Sequence, residues 1–232
     1  MIVLGVHCGF TLFNHEPGAA ISKNGKIIAS CEEERYTRNK EAWGNLPIFS
    51  IKAALRIANI NFNQVDLVVS TGVTAKGLKL KLQNFFKENF NHCPKIILVH
   101  HQLAHISSAF YSSGFEKATC LSLDGFGDGK SGLISEVSLK KGIKEIEYIE
   151  KKDSIGNFYT MVTEFLGYHT GDEYKVMGLA AYGKKTVDFS KVISFKKNYW
   201  KCDDKFYSGR QSPYLNTYSE KFEKLFKKYK RN

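Results

Sequence analysis

The alternation of apolar and polar positions divides the chain into short strands and amphipathic helices. "IVLGVHC" (2–8) is a β-type run, and "GAAISKNGKIIASCEEE" (18–34) reads as two strands around Asn24-Gly25, a dipeptide that favours a tight hairpin. Helical spacing marks "SIKAALRIANI" (50–60) and "LKLKLQNFFKENF" (78–90), on either side of the apolar strand "VDLVVSTG" (65–72). "PKIILVHH" (94–101) is a further strand, "QLAHISSAFYSSG" (102–114) a helix closed by Gly114, and "ATCLSLDGFGDG" (118–129) a strand running into a glycine-rich turn. Two strands follow around Lys140-Lys141-Gly142, then the helix "GNFYTMVTEFLGY" (156–168) and a strand-to-helix passage, "TGDEYKVMGLAAYG" (170–183). This order predicts an α/β protein with a mixed sheet. Beyond Gly183 the pattern weakens, although "YSEKFEKLFKKYKRN" (218–232) suits a basic amphipathic helix.

Charge changes this picture only at the end. The net charge is +11, and from Lys184 onward there are 14 Lys+Arg against 5 Asp+Glu, so the body is nearly neutral and the C-terminal segment basic. Such a segment suits nucleic acid, phosphate ligands or an anionic surface, or is simply a solvated face. No apolar run reaches the roughly 18 residues of a membrane helix, and the start reads as a strand rather than a signal peptide. The five scattered cysteines form no C-x-x-C pair, which suits free thiols in a reducing cytoplasm.

Candidate chemistry falls in four stretches. His101 and His105, four apart on a helix, share one face and can share a metal ion; a surface helix has the same spacing. Gln102 stands where a metalloprotease needs its glutamate, and His100 suits substrate binding or capping. Asp124 ends an apolar strand and offers a hard oxygen ligand, while Gly125 and Gly127 suit amides exposed to a phosphate. Asp128 reads as a turn former. Lys175, apparently buried and followed by Gly178, suits an anion site near a helix start, or a salt bridge. His15, with Arg38 and Lys40 beyond the hairpin, suits an anion clamp or an exposed charge cluster.

The stretches "GAAISKNGKIIASCEEERYTRNK", "HHQLAHISSAFYSSGFEKATCLSLDGFGDG" and "GDEYKVMGLAAYG", in this order, resemble the O-carbamoyltransferase family, which includes nodulation-factor and tobramycin or cephamycin carbamoyltransferases. The resemblance covers roughly residues 1–183, and 184–232 carry no matching motif. It implies an actin-like ATPase (ribonuclease H-like) fold with a mixed five-stranded sheet flanked by helices, here incomplete, similar to the tRNA threonylcarbamoyl-adenosine synthases. In such enzymes a YrdC-like domain makes carbamoyl-adenylate from carbamoyl phosphate and ATP. The actin-like domain then passes the carbamoyl group to a hydroxyl of a small-molecule or glycan acceptor.

By that resemblance His101, His105 and Asp124 hold Fe(II) or another divalent ion, and His15 takes the hydroxyl proton. Arg38 and Lys40 bind the carbamoyl or phosphate end, and Lys175 and Gly178 belong to the adenylate pocket. The pattern around His15, "HEPGAA", departs from the family's usual H-D-S-A-A-A. The YrdC-like domain, the rest of the actin-like domain and a further metal-ligating aspartate are missing. The expectation is therefore a domain that works with a separate chain carrying those parts and transfers little or nothing alone. The alternatives are a metal- or nucleotide-binding module without turnover and threonylcarbamoyl transfer to tRNA. Nucleic-acid binding through the basic tail is the least favoured reading, since no RNA- or DNA-binding pattern is present.

Overall fold

The computed structural model describes the chain except residues 8–9, 11–14, 196–198, 209–216 and 231–232, and divides it into two units, Met1–Ala104 and His105–Asn232. In the first unit β1 (Ile2–His7), β2 (Gly18–Lys23) and β3 (Lys26–Glu32) form an antiparallel meander. β4 (Leu67–Thr71) and β5 (Lys95–Val99) run parallel to β1 on its other side, giving the order β3-β2-β1-β4-β5. This is the mixed five-stranded α/β sheet expected from the sequence. The β2–β3 turn is made by Asn24 and Gly25, both at positive φ (52° and 80°), as a twist-matched two-residue hairpin requires.

The sheet strands bury alternate residues, so Leu4, Ile21 and Val68 lie wholly inside. Against them pack α2 (Ile48–Ala58), through Ile51 and Ala54, and α3 (Leu78–Phe90), through Leu82 and Phe86. α2 owes its start to α1 (Glu33–Thr37), a short helix within the charged stretch. Glu33 is buried, and its carboxylate accepts from the Phe49 and Ser50 amides (3.1 and 2.7 Å), closing orphan donors in the first turn of α2. Glu33→Gln retains one acceptor and turns a donor toward the other amide. It is expected to cost about 2 kcal/mol, read as a lower denaturant midpoint with an unchanged slope.

α4 (His101–Ser113) continues across the division between the units and ends at Gly114 (φ 77°). In the second unit β6 (Lys117–Gly127), β7 (Lys130–Ser138) and β8 (Gly142–Glu150) form an antiparallel sheet, with Asp128 and Gly129 at positive φ in the β6–β7 turn. α5 (Ile155–Phe165) packs on β6. α6 (Glu173–Ala180) follows a turn through Gly171 (φ 94°), so the strand expected at the start of 170–183 is not formed. Its apolar sequence misleads, because only Val176 of the helix is buried and Tyr182 beyond it is 90% exposed.

The basic segment is folded rather than appended. β9 (Ile193–Phe195), β10 (Trp200–Cys202) and α7 (Glu220–Phe226) frame a second core in which Val192, Phe206, Tyr218, Phe222 and Phe226 surround Met161 and Phe165 of α5. The Glu164 carboxylate accepts from the Thr217 amide and hydroxyl (2.6 and 2.7 Å), fastening this segment to α5. Its aromatic residues thus complete the unit, and among its described lysines all but Lys201 are exposed. Among the described residues no helix is long and apolar enough to cross a membrane, and the four described cysteines are free.

Candidate metal centre

The centre is built where β5 turns into α4. His100 is the capping residue: its carbonyl accepts from the Leu103 and Ala104 amides (3.0 and 3.2 Å), and its Nδ1 accepts from the Gln102 amide at 3.2 Å. The residue assigned to substrate binding from the sequence therefore spends one ring nitrogen on starting the helix. His101 and His105 follow one turn apart on the same face, while Gln102, between them in sequence, is wholly buried.

Asp124 comes from β6, and its Oδ2 lies 3.7 Å from His105 Nε2. One donor atom from each of His101, His105 and Asp124 lies within 4.8 Å of the others. The Asp124 carboxylate raises the His105 imidazole above its ordinary pKa, with burial opposing. The other oxygen, Oδ1, accepts from the Gly125 amide at 2.6 Å.

Two imidazole nitrogens and a carboxylate oxygen suit Fe(II), Zn(II) and related ions. Donors that share an ion at bonds of about 2.0–2.2 Å stand roughly 3–4 Å apart, so modest side-chain rotations bring this set to coordination distance. The residues fit the group.

Not every sequence candidate is placed as expected. Gly125 and Gly127 lie within β6 rather than in an open loop; the Gly125 amide is used by Asp124, and Gly127 pairs with Lys130 across the hairpin. Lys175 is not buried. Its side chain is 46% exposed, and its ammonium pairs with Asp172 at 2.6 Å one turn away, because α6 presents it to solvent. Gly178 lies in the same exposed helix with open space around it.

His15, Arg38 and Lys40 belong to the first unit. His15 Nδ1 lies 3.4 Å from Glu16 Oε2, and its ring stands 4.8 Å from that of Trp43. Trp43 Nε1 donates to Glu41 Oε2 at 2.7 Å, and the Glu16 amide donates to the Glu41 carbonyl at 2.6 Å. Glu16, Arg38, Glu41 and Ala42 all hold positive φ without being glycine, a concentration of costly backbone around one loop crossing. Arg38 and Lys40 are exposed beside it.

Sequence reasoning missed Ser154 and Gly156, which support Asp124 from behind. Ser154 Oγ donates to the Asp124 carbonyl at 2.8 Å and accepts from the Asn157 amide at 2.9 Å. The signal was present, since a serine ahead of an apolar-periodic run is a helix cap. Its partner 30 residues away was not readable.

Residues 73–230 match the model of the family described as Carbamoyltransferase N-terminus. The chain belongs to this family. The match takes in His100, the three candidate ligands, Lys175 and Gly178, and it reaches through the basic segment. The chain is 35% identical to nodulation protein NolNO of Sinorhizobium fredii over 193 residues, 74% of this chain and 28% of that protein. It is 32% identical over 206 residues to the uncharacterized protein MJ1051 of Methanocaldococcus jannaschii, 85% of this chain and 38% of that one. This carbamoyltransferase-family chain thus spans between 28% and 38% of the length of these relatives.

Among solved structures it is similar to the ADPNP-bound activator of 2-hydroxyisocaproyl-CoA dehydratase from Clostridium difficile (TM-score 0.47, 15% identity, 82% of this chain and 60% of that chain). It is also similar to YeaZ from Pseudomonas aeruginosa (TM-score 0.39, 10% identity, 66% and 70%).

Proposed function

We propose that this chain is the metal-binding part of an O-carbamoyltransferase, which passes the carbamoyl group of carbamoyl-adenylate to a hydroxyl of a small-molecule or glycan acceptor. The observation that carries the reading is the convergence of His101, His105 and Asp124 in a chain of the Carbamoyltransferase N-terminus family. In this reading ATP and carbamoyl phosphate supply the adenylate through a YrdC-like domain on a separate polypeptide or further chain.

A bound divalent ion, Fe(II) among the candidates, would polarise the carbonyl or phosphoryl oxygen and neutralise developing charge. His101 Nδ1 or Nε2, His105 Nε2 and Asp124 Oδ2 are the atoms that would hold it. The Gly125 amide keeps Asp124 Oδ1 turned away, leaving Oδ2 for coordination. His15 has Nδ1 directed at Glu16, which leaves Nε2 to receive a proton. The acceptor oxygen bonds to the carbamoyl carbon, the bond from that carbon to the adenylate phosphate oxygen breaks, AMP leaves, and the hydroxyl proton passes to His15 Nε2. Arg38 and Lys40, both exposed in the same unit as His15, are the cations that would receive the phosphate end.

The reading is tested by adding this chain to a polypeptide that carries the remaining length of a relative, with ATP, carbamoyl phosphate labelled in its carbon and a panel of aminoglycoside and oligosaccharide alcohols. Label is expected in an acceptor only when this chain is present. His15→Ala is expected to slow transfer about 10²-fold while metal binding is unchanged. Undiminished transfer with the His105→Ala chain would overturn the reading.

A further inference from the structure

Asp124 supplies the carboxylate of the candidate centre, and its main chain is held from behind by residues that have no donor in the centre. Ser154 is buried, and both sides of its hydroxyl are used: it donates to the Asp124 carbonyl and accepts from the Asn157 amide. Two residues on, a Cβ on Gly156 would stand 2.7 Å from the Gly125 nitrogen and 2.8 and 2.9 Å from the Asp124 carbonyl carbon and oxygen. The first turn of α5 therefore lies directly against the Asp124–Gly125 peptide, and only glycine permits that approach.

The start of α5 is in turn tied to the basic segment. Asp153 is wholly buried, and its carboxylate accepts from Lys201 Nζ (2.7 Å) and the Cys202 amide (3.0 Å). Its carbonyl accepts from Trp200 Nε1 at 2.6 Å, and Lys201 Nζ also meets the Tyr199 hydroxyl at 2.6 Å. All three residues of β10 thus converge on a single aspartate, and the next residue along is the serine that holds Asp124.

We infer that Ser154 and Lys201 are positioning residues for the metal centre: the β10–Asp153 knot fixes the start of α5, and Ser154 transmits that fix to Asp124. Partners that orient a ligand set metal affinity without touching the ion, and their loss costs about 10–100-fold. The inference rests on the metal reading of His101, His105 and Asp124.

Co(II) titration of this chain tests it, because the visible band reports ligand geometry as well as affinity. Ser154→Ala is expected to weaken Co(II) binding about tenfold and to shift the band, and Ser154→Thr, which restores the hydroxyl, to recover both. Lys201→Met is expected to act in the same direction more weakly. A role in stability alone would lower the melting temperature and leave the affinity and band of the folded chain untouched. Wild-type affinity and spectrum in both Ser154→Ala and Lys201→Met, with binding lost in His105→Ala, would overturn the inference and spare the metal reading. Absence of Co(II) binding by the unaltered chain would overturn both.

Discussion

His105→Ala is expected to raise the Kd for Zn(II) or Co(II) by roughly 10²–10³-fold. A four-ligand zinc site binds with about 10–16 kcal/mol, or roughly 3–4 kcal/mol per ligand, and each 1.4 kcal/mol is a factor of ten. Among the described residues three protein donors form the cluster, and losing one leaves a pair that water outcompetes. Asp124→Asn should cost nearly as much, because it keeps the shape and the Gly125 contact but removes the charge that faces the ion.

His100→Ala provides the contrast. His100 adjoins the set in sequence, yet its Nδ1 caps α4. Its loss is expected to cost about 1 kcal/mol of stability and to change metal affinity by no more than about threefold, since only the anchoring of the first turn is loosened. Isothermal titration of the four proteins at one pH decides the matter. Wild-type affinity in His105→Ala would remove the centre from consideration.

How far the sequence reached depends on whether an element declares itself locally. Asn24-Gly25 forms the hairpin it predicts because both residues accept positive φ. α3 occupies 78–90 because its apolar residues recur at helical spacing and Leu82 and Phe86 find the sheet. His101, His105 and Asp124 meet because i,i+4 geometry aligns two of them and the third follows Leu123, where the regular β6–β7 pairing breaks.

The failures share a cause. α6 looks buried in sequence, yet the chain buries only Val176 of it, so Lys175 pairs with Asp172 in solvent. The stretch "EEER" reads as surface charge, but Glu33 is turned inward by the Phe49 and Ser50 amides of α2, 16 and 17 residues later. In the C-terminal segment the pattern weakens, and although a helix forms within 218–232 as expected, the other aromatic residues come from turns and a short hairpin and share a core with α5. Ser154 lies 30 residues from the Asp124 it holds, and Lys201 lies 48 residues from the Asp153 it holds, separations that no local pattern encodes.

The second large effect is expected at Asp153. Asp153→Asn keeps the volume but removes the charge, and an amide can turn its single oxygen to either Lys201 or the Cys202 amide, not both. A buried donor is left facing a donor, and a partly buried ammonium loses its counter-ion. Breaking a buried pair from one side costs about 3–5 kcal/mol. Because the Lys201 side chain is 36% exposed, water recovers part of that loss, and about 3 kcal/mol is the expected destabilisation. At roughly 3 °C per kcal/mol for a domain of this size, the second unit should melt about 9 °C lower.

The pH dependence has a definite sign. The Asp153 carboxylate, and then the Tyr199 hydroxyl, raise the Lys201 pKa above its ordinary value of 10.5. The folded state therefore holds this proton more tightly than the unfolded state. The resulting stability is fully present below the ordinary lysine value and is lost only as pH rises beyond it. The melting difference between wild type and Lys201→Met should accordingly be flat from pH 6 to 9 and shrink above about 10.5. A difference that instead grows with alkali, or an Asp153→Asn chain that melts within a degree of wild type, would show that the knot does not hold the start of α5.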